Sequence, residues 1–257
     1  MHLRFVIFLI VATLVAPAIF GQETNQPTVD ELVAKNIEAK GGAAALNKLQ
    51  TLRSTGKLLV PIQGQIELAY LRTQKRPDEV RTEASIQGMT QVEAYDGKDG
   101  WRISPFFGRK DPERMSADDV KALVEDTEMG GPLADWKAKG STIEYLGTED
   151  VDGTPAHKLK VVRKNGDVSF VYLDPDHFLE IRIVTQRVRH GAHEEVETDL
   201  GDYEKAGDVF VPTSIEVGHK GSPDKQTVVV DKLEANVPVD DAIFHFPGQI
   251  NVPEPKR

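Results

Sequence analysis

The chain has 257 residues, no cysteine, and 31 basic against 41 acidic side chains, which gives a formal net charge of −10. Its 39% hydrophobic and 28% charged content is typical of a globular protein and excludes a disordered chain or a many-pass membrane protein. The acidic balance argues against nucleic acid as the main partner, because phosphate binding needs a basic surface. The absence of cysteine excludes disulfides, a thiol nucleophile and cysteine-ligated metals.

The N-terminus has the pattern of a secretory signal peptide. Residues 1–4 form a short basic segment. Residues 5–15 form an uninterrupted apolar run that is too short to span a bilayer comfortably. Small residues at Ala18 and Gly21 offer cleavage sites. The alternative is a retained N-terminal anchor.

The sequence therefore predicts a signal peptide over residues 1–21 and one mature domain over 22–257. No cysteine follows the apolar run, so we expect no N-terminal lipid anchor. The expected location of the mature protein is the periplasm.

The mature chain begins with helical signals and then changes to strands. Thr28 and Glu31 form a near capping box before a helix whose apolar side includes Leu32, Val33 and Ile37. A second short helix is predicted over 43–49, and helical turns over 116–124 and 132–137. The predicted strands are 52–60, 65–74, 79–86, 89–95, 101–103, 142–146, 156–163, 168–173, 179–188, 194–202, 209–217, 226–236 and 243–246.

These elements predict a mainly β, α+β fold: one large, strongly curved antiparallel sheet with helices against one face. Asp152-Gly153, Asn165-Gly166 and His190-Gly191 mark hairpin turns between alternating runs. The helices are too few to cover such a sheet fully. The sheet either closes on a packed core or holds a cavity.

Catalytic signals are absent from the sequence. It contains no Gly-x-Ser-x-Gly elbow, no phosphate-binding loop and no dinucleotide-binding glycine motif. His190 and His193 could clamp a metal, but the glycine between them favours a solvated hairpin. We expect a protein that is not an enzyme, with no metal and no cofactor.

Three short motifs occur in a specific order. Arg76-Pro77 ends a predicted strand, and Asp96-Gly97-Lys98 leads to Trp101, Pro105 and Phe106. The chain then closes with Asp240, Phe244, Phe246 and Pro247. Taken singly, the motifs also fit a solvated strand end, a hairpin turn and a packed terminal strand. In this order, and after a secretory signal, they resemble the LolA/LolB family of periplasmic lipoprotein carriers.

This resemblance implies an open half-barrel of about eleven antiparallel strands, with helices as a lid on the concave side. Arg76 would be the latch that holds the lid closed. Trp101, Phe106 and Phe107 would belong to an aromatic hairpin along the barrel, and Leu32, Val33, Ile37 and Trp136 to the lid and ligand-binding surface.

The implied function is transport of the acyl chains of lipoproteins or of another amphiphile toward the outer membrane. The implied partners are these acyl chains and membrane-bound donor and acceptor proteins, and the expected state is a monomer. The alternative is a periplasmic sensor or interaction module on the same fold that binds a protein or peptide. The chain departs from the family by a helical insert at 111–139 and by a second helix rich in glycine and alanine.

Overall fold

The computed structural model describes residues 26–62 and 64–248. The predicted signal peptide at residues 1–21 lies outside these ranges. Three α-helices are present: α1 (Val29–Ala39), α2 (Ala43–Lys48) and α3 (Ala117–Asp126). The strands are β1 (Thr51–Val60), β2 (Ile66–Lys75), β3 (Glu79–Ile86), β4 (Met89–Asp96), β5 (Gly100–Ser104), β6 (Arg109–Arg114), β7 (Thr142–Val151), β8 (Thr154–Val162), β9 (Val168–Leu173), β10 (Glu180–Arg189), β11 (Ala192–Ala206), β12 (Val209–His219) and β13 (Gln226–Ala235).

All thirteen strands form one antiparallel sheet, which confirms the predicted fold class. Their order is β6-β5-β4-β3-β2-β1-β13-β12-β11-β10-β9-β8-β7. Every pair of neighbouring strands is consecutive in the sequence except β1 and β13. The sheet is curved and open, because β6 and β7 are its two edges. The architecture is the open half-barrel that the resemblance implied, with thirteen strands instead of about eleven.

The predicted elements differ from the structure at two places: one predicted strand is absent and one strand was not predicted. The strand predicted at 243–246 is wrong: the chain forms a 3-10 turn at Asp241–Ile243 and then further turns and a bend outside the sheet. Strand β6 was missed, because its sequence RKDPER has charged residues and a proline in place of alternating apolar residues.

Helix α1 forms because its first turn is capped and one of its faces is buried. The Thr28 hydroxyl accepts a hydrogen bond from the Glu31 amide, and the Glu31 carboxylate accepts one from the Thr28 amide, so the predicted capping box is confirmed. Leu32 and Val33 are buried against the strand residues Leu159, Val161, Val171 and Leu173. This packing fixes α1 over the β8–β9 part of the sheet.

The helices share one face of the sheet, which is its concave face. Helix α2 packs on β12 through Leu46, Leu49 and Val209, and α3 lies over β4 and β5. Farther along the concave face, Tyr70, Val228 and Val230 form a third buried apolar cluster. In the part of the chain that is described, no helix is both long and apolar enough to cross a membrane.

The opposite, convex face of β4 and β5 is covered by the C-terminal segment. Trp101 is only 2% exposed, and its indole nitrogen donates a hydrogen bond of 2.7 Å to the Phe244 carbonyl. The Trp101 ring also meets Phe246 edge-on, with 6.4 Å between ring centroids. Arg81 donates a hydrogen bond to the Ile243 carbonyl and thereby fixes the same segment.

Candidate functional site

Helix α2 is tied to the sheet by one arginine side chain. At the end of β2, Arg76 donates two hydrogen bonds to main-chain carbonyls in the last turn of α2. Its Nε lies 2.9 Å from the Leu49 oxygen, and its Nη2 lies 3.1 Å from the Leu46 oxygen. A helix of six residues has little stability of its own, so its position depends on these bonds and on the burial of Leu46 and Leu49.

A groove of about 350 Å³ runs between α1, α2 and the segment at 132–138. Its walls include Val33, Ile37, Leu46, Leu133 and Trp136. Leu133 is fully buried in the same cluster as Leu32 and Val33, and Trp136 packs against that cluster with part of its ring exposed. The groove is therefore a largely apolar surface that the two N-terminal helices form with the helical insert.

A smaller cavity of about 140 Å³ lies beneath the helices, against the concave face. It is lined by apolar side chains such as Leu52, Ile183 and Leu200 and by the ion pair between Lys40 and Glu180. Small-molecule sites usually measure about 300–1,000 Å³, so this enclosed space is too small for a complete acyl chain.

The Lys40–Glu180 pair joins three parts of the structure. Lys40 caps the end of α1 and also donates a hydrogen bond of 3.0 Å to the Gly130 carbonyl in the helical insert. Glu180 begins β10 and is 1% exposed. Tyr203 donates to the Glu180 carbonyl at 2.8 Å, and burial raises the pKa of Tyr203 well above its usual range. The pair therefore links α1, the insert and the sheet.

Helix α3 is held over the concave face mainly by charged side chains. Arg72 contacts Asp126 at 2.5 Å, and Arg189 donates a hydrogen bond of 2.8 Å to Asp119. The Glu125 carboxylate lies 3.4 Å from Arg187, and burial raises its pKa to about 7 although nearby arginines oppose the shift. The part of the concave face beneath α3 is thus polar, unlike the apolar parts beneath α1 and α2.

Five of the predicted site residues come together around the groove, and three do not. Leu32, Val33, Ile37 and Trp136 lie in or against the cluster beneath α1, and Arg76 holds the neighbouring α2. Trp101 instead points to the convex face beneath Phe244, where a ligand under the helices does not reach it. Phe106 and Phe107 lie in a 3-10 turn between β5 and β6, and Phe107 is 79% exposed. We leave these three residues out of the proposed site.

The Lys40–Glu180 pair and the charged residues around α3 were not predicted. The helical spacing of the sequence places Lys40 on the same side of α1 as Leu32, Val33 and Ile37. Nothing in the sequence pairs it with Glu180, which is 140 residues away. In the described ranges, no group of three or more histidine, aspartate or glutamate side chains could hold a metal ion.

Solved structures of known proteins share this architecture over most of the chain. An outer membrane lipoprotein-sorting protein domain from Vibrio parahaemolyticus aligns with a TM-score of 0.53 and 13% identity, covering 82% of this chain and 97% of its own. A LolA superfamily protein from Nitrosomonas europaea aligns with a TM-score of 0.58 and 12% identity, covering 86% and 98%. A DUF1329 family protein from Desulfovibrio piger aligns with a TM-score of 0.56 and 13% identity, covering 84% and 97%.

These comparisons define the class of fold. No protein-family model matches the sequence, and no curated protein matches it either. The open antiparallel half-barrel nevertheless aligns with all three structures over 82%, 86% and 84% of this chain. The chain has a LolA-like fold.

Proposed function

We propose that this protein is a carrier that binds the acyl chain of a lipoprotein or another amphiphile between the concave face and helices α1 and α2. The observation that carries the proposal is the attachment of α2 by the two hydrogen bonds from Arg76. A helix held in this way can move off the sheet without breaking a strand ladder. The apolar groove beside it supplies the first surface for a hydrocarbon chain.

The free energies involved allow reversible binding. An acyl chain of about sixteen carbons gains on the order of 10 kcal/mol when it leaves water. Moving α2 away breaks two charge-assisted hydrogen bonds, which contribute about 1.5–3 kcal/mol each. It also uncovers Leu46 and Leu49, whose burial contributes about 1.5–3 kcal/mol each. The two sides are of similar size, as a carrier that must both load and release its cargo requires.

The proposed setting is the periplasm, between membrane-bound donor and acceptor proteins. The support for it is the signal-peptide pattern at residues 1–21 and the lipoprotein-sorting description of one structural neighbour. The transfer would run toward the outer membrane, with the protein acting as a monomer. The function needs no covalent step and no cofactor, because the cargo is bound by burial alone.

The proposal can be tested by lipid analysis and by titration. The protein is purified from a periplasmic extract, its bound lipids are extracted for mass spectrometry, and the delipidated protein is titrated with a fluorescent synthetic lipopeptide that carries palmitoyl chains. Ile37→Asp places a charge in the groove and should weaken lipopeptide binding at least tenfold. Leu146→Asp is the matched control, because Leu146 is 42% exposed on the edge strand β7.

Co-purified acyl species and a selective loss of binding in Ile37→Asp would support the carrier. If the wild-type protein carries no lipid and binds no lipopeptide, the carrier proposal is wrong. Capture of one periplasmic protein or peptide with no lipid bound would then favour the sensor or interaction module.

A further inference from the structure

A second cavity lies beside the groove, on the other side of the insert. It has a volume of about 400 Å³, which is within the range of small-molecule sites. The turn after β2, the end of α3, the insert and the turn between β8 and β9 surround it. Ala134 and Asp135 line both this cavity and the apolar groove, so one short segment separates the two spaces.

The inner wall of this cavity is cationic. Arg163 donates two hydrogen bonds to the Glu128 carboxylate at 2.8 and 2.9 Å, and Lys139 lies 3.1 Å from the same carboxylate. Two cations therefore share one acid. The Nε of Arg163 is buried and has no hydrogen-bond partner among the described residues. Glu125 and Asp167 also lie near Arg163. The cavity as a whole is lined by four cations against three acids, namely Arg76, Lys139, Arg163 and Lys164 against Asp78, Glu128 and Asp135.

Two further cations line the cavity with donors to spare. Arg76 uses Nε and Nη2 to hold α2, and its Nη1 makes no hydrogen bond within the described ranges. Lys164 is exposed at the rim, forms no ion pair with any residue that the structure describes, and has its stem near Gly140. The remaining acids, Asp78 and Asp135, are exposed at the rim, where water solvates them.

The cavity also has an apolar side that faces the same space. Val124 at the end of α3 is 41% exposed, and Met129 and Ala134 continue the surface toward the insert. A ligand that fits these walls carries a negative group next to a hydrocarbon. Such a ligand could place its chain in the groove and its charged group here, because the two spaces share a wall.

We propose that this cavity binds the anionic head group, a phosphate or a carboxylate, of the amphiphile whose chain the groove receives. This inference rests on the carrier function proposed above and narrows its cargo to anionic lipids. Arg76 is then shared by the head group and by α2. Binding of the anion keeps the guanidinium in place and so favours the closed position of α2 after loading.

The test compares three probes. Palmitoyl lysophosphatidic acid has both an acyl chain and a phosphate, monopalmitoylglycerol lacks the phosphate, and glycerol 3-phosphate lacks the acyl chain. Calorimetric titration should give the lysophosphatidic acid an affinity about tenfold above that of the monopalmitoylglycerol at low salt, with a smaller difference at high salt. Lys164→Gln should reduce this preference about threefold. Lys160→Gln is the control, since Lys160 and its cross-strand partner Phe170 lie together on the convex face, away from the cavity.

Each outcome separates this inference from the carrier function. Equal binding of the two lipids, or an equal effect of Lys160→Gln and Lys164→Gln, overturns the head-group site and leaves the carrier intact. Binding of glycerol 3-phosphate alone shows a site for free phosphate esters and overturns both proposals. No binding of any probe overturns the head-group site, and the lipopeptide titration then decides the carrier function. Preference for the anionic lipid that depends on Lys164 supports both.

Discussion

Replacing Arg76 with leucine should free α2 from the sheet. The change removes both hydrogen bonds to α2 and leaves the carbonyls of Leu46 and Leu49 without their donor. At about 1.5–3 kcal/mol for each charged bond, α2 should open at least about a hundredfold more often than in the wild type. Arg76→Lys keeps the charge but not the two-pronged geometry, and should give a smaller increase.

Native-state hydrogen exchange measures this opening directly. The amides of Leu46 and Leu49 donate to Gly42 and Ala45 inside α2, so their exchange reports the opening of the helix. The amides of α1 serve as an internal reference in the same protein. Arg109→Leu is the control variant, since Arg109 is half exposed on the edge strand β6 and its ion pair there is with Glu113. Unchanged exchange of α2 in Arg76→Leu would refute the reasoning.

Three further changes should alter stability. Lys40→Met leaves the Glu180 carboxylate buried without its cation and should lower the free energy of unfolding in urea by about 3–5 kcal/mol; an unchanged midpoint would contradict this. Gly41→Ala puts a Cβ 2.1 Å from a main-chain oxygen at a φ of +109°, and should lower the free energy of unfolding by about 2–4 kcal/mol. In Gly42→Ala the new Cβ meets no atom closer than 3.7 Å, so the expected loss is about 1–2 kcal/mol. Equal losses in the two variants would count against the steric argument. Glu125 has a pKa of about 7 in the folded protein against an ordinary 4.5, so its contribution to stability is present below pH 4.5 and is lost as the pH rises through 7. The free energy of unfolding should fall by up to about 3 kcal/mol over that range. A Glu125→Gln variant with the same pH dependence would show that another group is responsible.

The sheet could be predicted because its turns and alternation are local properties of the sequence. Asp152-Gly153 and His190-Gly191 have positive φ at both residues, as the two-residue hairpins required. At Asn165-Gly166 only the glycine has a positive φ. The capping box of α1 is equally local. These features need only neighbouring residues to be interpreted correctly.

The direction of each strand's side chains could not be predicted in the same way. The concave face of β2, β4 and β5 carries Arg72, Glu93 and Arg102, whereas Trp101 and Ala94 point to the convex face. A rule that places apolar residues inside gives the wrong face here, because α3 meets the concave face with charges and the C-terminal segment buries the convex one. A shift of one residue exchanges the two faces.

The part of the candidate site that lies around helices α1 and α2 was predicted from the sequence. The helical spacing of Leu32, Val33 and Ile37 identified the buried side of α1, and the resemblance identified Arg76. The Lys40–Glu180 pair was beyond prediction, because its partners are brought together only by the complete fold of the sheet.

The position of a bound acyl chain relative to the two tryptophans tests the central claim most directly. A palmitic acid brominated along its chain quenches indole fluorescence only at short range, and Trp101 and Trp136 are the two tryptophans of the chain. In Trp101→Phe, which keeps the tryptophan beside the groove, the account predicts saturable quenching. In Trp136→Phe, which keeps Trp101 beneath Phe244, the account predicts no quenching. Quenching of Trp101 without Trp136, or of neither, would contradict the account.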